Sequence, residues 1–344
     1  MTERTDRRCF LARGVIGAAS LGVAQNCIEE KTLMAAMQDG TADAGAEKKR
    51  KTDIPPGSLP SGKICNVSVS RLLIGGNLIG GWAHSRDLMY ASKLFTSYNT
   101  EAKVFETLEI AQECGINTIQ IDPDCGGILA KYNKQHTPQI QTMICLHNFA
   151  DKTQVNDEIK RQVDWGATLL YSHGGLTDTH MMNGGGIDVI GHMIELIKAQ
   201  GVPAGVGGHS LNVPIACEKD DLNPDFYVKT FHIDRYWSAT PVARRIEYDW
   251  MTSDSSDHDA NYDNMWCNNP EETAAFMETV GKPWVAFKVM AAGAITPRTA
   301  FLHAYRHGAD FVIAGMFDFQ VEADVKIAVE SLAQVKSRKR PWFG

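Results

Sequence analysis

What the sequence lacks narrows it first. No apolar run is long enough to stay in a bilayer as a permanent span. No long basic run with interleaved aromatics occurs, and acidic and basic residues mix along a chain of formal net charge −7. Nucleic acid is therefore not an expected partner. Among the eight cysteines there is no Cys-x-x-Cys pair and no zinc-ribbon spacing. The six beyond the N-terminal region, Cys65, Cys114, Cys125, Cys145, Cys217 and Cys267, read as scattered thiols. No Gly-x-Gly-x-x-Gly follows the first apolar strand, since Gly75-Gly76 and Gly80-Gly81 are spaced wrongly for it. That argues against a Rossmann dinucleotide site.

The start of the chain carries a stronger signal. Arg7-Arg8-Cys9-Phe10-Leu11 leads into a small-residue apolar stretch ending Gly22-Val23-Ala24. This resembles a twin-arginine signal peptide over residues 1–24, which implies export, with the periplasm as the expected location. Cys27 follows Gln25-Asn26, which makes a poor lipidation site. Residues 25–62 are polar and contain Lys48-Lys49-Arg50-Lys51 and Pro55-Pro56-Gly57, the composition of a flexible linker.

From residue 63 to 338 short apolar runs alternate with helical patterns, the mark of βα units. Eight strands are expected: Leu72–Ile74, Thr118–Asp122, Thr142–His147, Leu169–His173, Ala204–His209, Phe226–His232, Trp284–Lys288 and Asp310–Ala314. Gly115, Gly166, Gly201, Gly281 and Gly308 each close a helical stretch just before a strand. Eight such units predict a single α/β domain, a (β/α)8 TIM barrel, with a doubly wound sheet as the alternative. Residues 234–269 interrupt the pattern with Tyr236, Trp237, Tyr248, Trp250, Tyr262 and Trp266, and are read as an insertion capping the barrel mouth.

Polar ligand types sit at the strand ends, which a barrel brings together. They are Asp122, His147, His173, His209, His232 and Lys288, from a chain with 11 histidines. Imidazoles suit a divalent metal of open identity, with His147, His173, His209 and His232 as the candidate ligands. Asp122, His173 and Lys288 are the candidate catalytic groups, moving protons or charge. The alternative is that the histidines are acid–base groups without a metal. Asp124, Asp178 and His180, the last two expected in a Gly-rich loop after the fourth strand, and Asp257-His258-Asp259 rank below these, and His192, His303 and His307 fall in helical stretches.

The order of motifs resembles the aldo-keto reductase superfamily from about Val67 to Leu332. The resemblance rests on Val69–Gly76, on Gly115–Asp122, on His173-Gly174, on Phe287–Gly293 and on Ala314-Gly315 with Gln320-Val321-Glu322. It implies a barrel, an aspartate and a histidine of a catalytic tetrad at Asp122 and His173, and a nicotinamide cofactor, NAD(P), near Gly293 and Gly315. The family's tyrosine position holds Gly127, with Tyr132 as a substitute if the loop curls back, and its lysine position holds His147. Three readings follow. The leading one is an exported, metal-assisted isomerase or lyase transferring protons on a sugar-like substrate. The others are an NAD(P)-dependent oxidoreductase and an inactive carbohydrate-binding barrel.

Overall fold

The computed structural model describes residues 52–84, 88, 90–248 and 265–344. The leader 1–24, most of the linker, and Trp250, Asp257, His258, Asp259 and Tyr262 of the insertion lie outside the described residues.

Two short strands, β1 (Ser61–Ile64) and β2 (Val67–Ser70), form an antiparallel hairpin. Eight parallel strands then close on themselves: β3 (Leu72–Gly75), β4 (Thr118–Ile121), β5 (Gln141–Leu146), β6 (Leu169–Ser172), β7 (Ala204–Gly208), β8 (Phe226–Thr230), β9 (Trp284–Phe287) and β10 (Phe311–Gly315). β10 pairs with β3 to shut the barrel, from Val312 opposite Leu72 to Gly315 opposite Gly75. The protein is a (β/α)8 barrel, and every expected strand is present within a residue or two.

Local chemistry explains where the helices between strands begin and end. Thr100 caps the helix Glu101–Glu113 by accepting from the Lys103 amide, and Asp151 caps Lys152–Asp164 by accepting from Thr153 and Gln154. Pro270 and Pro297 open their helices, at the position where a missing N–H costs nothing. At the far ends Gly115, Gly166, Gly201 and Gly308 take φ of 94°, 88°, 74° and 112°, which an L side chain resists. Gly281, expected to behave alike, is not among the residues of positive φ.

The alternation of side chains along each strand sorts the core into two. Outward residues such as Ile74, Ile121, Ile144, Leu170, Val206 and Ala286 pack under the helices. Inward residues such as Leu73, Met143, Leu169, Phe226, Val285 and Phe311 fill the barrel, joined by Ile64 and Val69 of the hairpin. The hairpin is thus the floor of the barrel, where burial of each aliphatic side chain contributes roughly 1.5–3 kcal/mol.

Four sequence expectations need correction. The linker ends earlier than residue 62, because Ile54 and Leu59 are buried in the core and β1 begins at Ser61. The run Val69–Gly76 is not one opening strand, since it is divided at Arg71 between the hairpin and the barrel. The body extends past 338: Arg340 is buried, and the Arg71 guanidinium donates to the Gly344 carbonyl at 2.8 Å. Finally, the glycine-rich stretch after His173, expected as a loop, is the helix Gly174–Met182. Two glycines form its first two positions and Gly184, Gly185 and Gly186 follow it, which hides the helical pattern.

Candidate active site

Asp122, His147, His173 and His209 each follow the last residue of a strand and continue its inward-facing face. They therefore leave the apolar interior at the same level, the C-terminal mouth. His147 Nε2 lies 3.0 Å from Asp122 Oδ2. Burial alone would depress the His147 pKa, but the hydrogen bond and charge of Asp122 outweigh it and raise it. Burial likewise favours the neutral form of Asp122, yet His147 and the Asp124 amide hold its pKa below the ordinary value. Both shifts act in the direction that favours an imidazolium paired with a carboxylate. The buried Glu158 supports the pair from behind, accepting the His147 and Asn148 amides at 3.1 and 2.8 Å.

His173 is of the opposite character. Its ring stands perpendicular to His147, centroids 5.1 Å apart. Burial first, then the charges of His147 and His209, push its pKa down to about 3. Its Nδ1 accepts the Leu176 amide at 3.2 Å, capping the helix Gly174–Met182. The ring is neutral, and an Nδ1 that accepts leaves the hydrogen on Nε2. His209 follows β7, with its ring 5.1 Å from that of Phe287 and its Nδ1 2.7 Å from Asp178 Oδ2.

The four histidines proposed as metal ligands do not share one centre. His232 lies apart and both its nitrogens serve the backbone. Its Nδ1 bonds the Ile233 carbonyl at 2.8 Å, while its Nε2 accepts the amides of Trp266 and Cys267, each at 3.1 Å. No lone pair remains there for a metal, and burial pushes its pKa down to about 4. Among the described residues, potential ligand atoms gather in two groups, Cys145 with His147 and His173, and Asp122 with Asp124 and His147. Neither includes His209 or His232. The His173 Nδ1 bond also weighs against that residue as a ligand, since it assigns the hydrogen to Nε2.

Lys288 sits on the loop after β9 at φ 54°, its Nζ 2.8 Å from His84 Nε2 and 4.2 Å from the Trp266 ring centre. Its charge reaches His173 and helps depress that pKa. Gly293 lies exposed on the same loop at φ 87°, and Gly315 ends β10 beside Gly75. Tyr132 does not curl back to the site. It is 1% exposed, its hydroxyl is 2.6 Å from Gln112 Oε1, and its ring stacks on His136. His180 turns away to the Gly186 carbonyl.

Sequence reading passed over Cys145, Glu158, His84 and the ranking of Asp178. Cys145 had a signal, since it lies two residues before His147 and so shares its face. Asp178 had only its place after the fourth strand, and His84 had none, because its partner Lys288 lies 204 residues away.

The insertion is tied at its base. Arg245 bonds Asp234 Oδ2 at 2.7 Å and the Asn268 carbonyl at 3.3 Å, joining the start of the excursion to its end. Trp266 is buried against His84 and His232, whereas Trp237 is 83% exposed.

No protein-family model matches the chain, and no curated protein does. Solved structures do. A Pseudomonas aeruginosa protein assigned to the aldo-keto reductases superposes with a TM-score of 0.54, covering 79% of this chain and 94% of its own, at 14% identity. A second aldo-keto reductase structure from that organism gives 0.52 over the same shares, also at 14%. At that identity the likeness is one of fold: this chain is built on the same kind of (β/α)8 barrel.

Proposed function

We propose that the protein is a barrel enzyme that activates a carbonyl group of a small, sugar-like substrate by proton transfer, as an isomerase or lyase does. One observation carries the reading: neighbouring imidazoles at the mouth have environments that drive their pKa values apart. Such divergence is how a site separates an acid from a neutral hydrogen-bonding group. His147, whose protonated form Asp122 favours, is the acid. His173, neutral with its hydrogen on Nε2, donates to the carbonyl oxygen. Lys288, beside His84, adds positive potential that favours an enolate. The exposed Trp237 of the insertion suits the apolar face of a sugar ring.

A metal-assisted version has its own support in the closeness of Cys145, His147 and His173. A divalent ion there would polarise the carbonyl. Nicotinamide-dependent reduction fits the fold, but the position of the family's proton-donating tyrosine is Gly127, and Tyr132 is buried elsewhere. Export by the twin-arginine route, resting on Arg7-Arg8 and the stretch after them, would put the reaction in the periplasm.

The test is to incubate the protein with aldoses and ketoses in heavy water and follow deuterium entering beside the carbonyl by NMR. The expected result is exchange with at least one sugar, slowed roughly 100-fold or more in His147→Gln. Equal exchange in the variant, or none with any sugar, would remove the reading. Elemental analysis of the same sample decides the metal version, which requires stoichiometric metal that Cys145→Ser and His147→Gln lose.

A further inference from the structure

We propose that Asp178 is the positioning residue that makes His209 the base of this site; the inference rests on the proton-transfer reading above. Asp178 is wholly buried in the helix Gly174–Met182, where a carboxylate needs partners to be tolerated. It finds partners just after β7. Oδ2 accepts the His209 amide at 2.8 Å and faces His209 Nδ1 at 2.7 Å, and Oδ1 accepts the Ser210 amide at 3.0 Å. A carboxylate only accepts, so the His209 hydrogen resides on Nδ1 and the lone pair on Nε2.

The same helix assigns the opposite tautomer to His173. The Leu176 amide, in its first turn, donates to His173 Nδ1 and leaves the hydrogen on Nε2. One short helix thus makes one ring a donor at Nε2 and the next an acceptor there. The two rings meet at one place: a side-chain carbon at Gly175 would lie 3.4 Å from His173 Cε1 and 3.8 Å from His209 Cε1.

A donor beside an acceptor matches a carbonyl oxygen beside an acidic C–H. His209 Nε2 takes the proton from the carbon next to the carbonyl. The C–H electron pair becomes the C=C bond of an enolate, and the displaced carbonyl pair stays on the oxygen, which receives the hydrogen bonds of His173 and His147. Return of a proton, or of a deuteron that has replaced it, from His209 to the same carbon re-forms the carbonyl and restores the base. Asp178 bears the charge of the transient imidazolium, as an orienting carboxylate does in other histidine-dependent sites.

The experiment is long-range proton–nitrogen NMR of the protein with nitrogen-15 histidine, at neutral pH, on wild type and on Asp178→Asn. Wild type should show His209 with its hydrogen on Nδ1 and His173 with its hydrogen on Nε2. Asp178→Asn should shift His209 toward the other tautomer, leave His173 unchanged, and lower kcat for deuterium exchange about 100-fold or more with KM nearly unaltered. A wild-type His209 with its hydrogen on Nε2, or kcat unmoved in the variant, would overturn the positioning role. Tautomers as assigned with no exchange into any sugar would instead overturn the proton-transfer reading and the base role with it. If Asp178→Asn does not fold, the wild-type spectrum alone still decides the tautomer.

Discussion

The Asp122–His147 pair links residue chemistry to pH. The His147 pKa is raised above its ordinary 6.5, so its share of stability is complete below that value and is lost as pH rises through the folded pKa. The Asp122 pKa is lowered below its ordinary 3.8, so its share is complete above that value and is lost as pH falls through the folded pKa. Both shares are therefore complete between pH 3.8 and 6.5, and the pair's contribution declines outside that window as each group titrates. In Asp122→Asn the carboxylate is gone while burial remains. The His147 midpoint should then fall, as followed by NMR titration of its ring protons. An unmoved midpoint would mean that Asp122 does not set it.

At the scale of elements, the strand ends do different jobs in spite of their similar sequence. The strand β8 stops at Thr230, two residues short of His232, and the ring is drawn into the backbone of the returning insertion. His232 is best described as a peg for that segment. His232→Ala would leave the Trp266 and Cys267 amides buried without their acceptor, at roughly 1–3 kcal/mol each. Urea unfolding should show a loss of that size, with any metal content of the site unchanged. Stability equal to wild type would contradict the peg. The arrangement also shows why counting histidines misleads: His147, His173 and His209 follow directly on their strands and face the mouth, whereas His232 does not.

For the molecule as a whole, the end opposite the site carries the ionic anchoring. Asp310, just before β10, is buried and receives Arg338 at 2.7 Å, Arg340 at 2.5 Å, and the amides of Trp284 and Phe343, each at 2.9 Å. Arg71 stacks between Phe311 and Trp342 and also bonds the Asp310 carbonyl. The C-terminal segment is thereby strapped across the floor made by the hairpin strands. Removing one partner of a buried pair leaves the other uncompensated, typically costing about 3–5 kcal/mol. Asp310→Ala should lose stability on that scale in denaturant melts while the His147 titration stays put. A loss below about 1 kcal/mol would show the strap to be incidental.

The barrel was readable because its rule is local: apolar runs of four to six residues, capped helices and closing glycines repeat in order, and each acts over only a few positions. Side-chain parity likewise carried Asp122, His147, His173 and His209 to one mouth. What each group does there was decided by tertiary contacts. Asp178 meets His209 across 31 residues, His232 meets Trp266 across 34, and Lys288 meets His84 across 204. Hydrogen-bond partners, tautomers and pKa shifts depend on distances of about 3 Å between remote segments. Spacing along one chain does not encode such distances, so residue types marked the site and only the closed barrel assigned their roles.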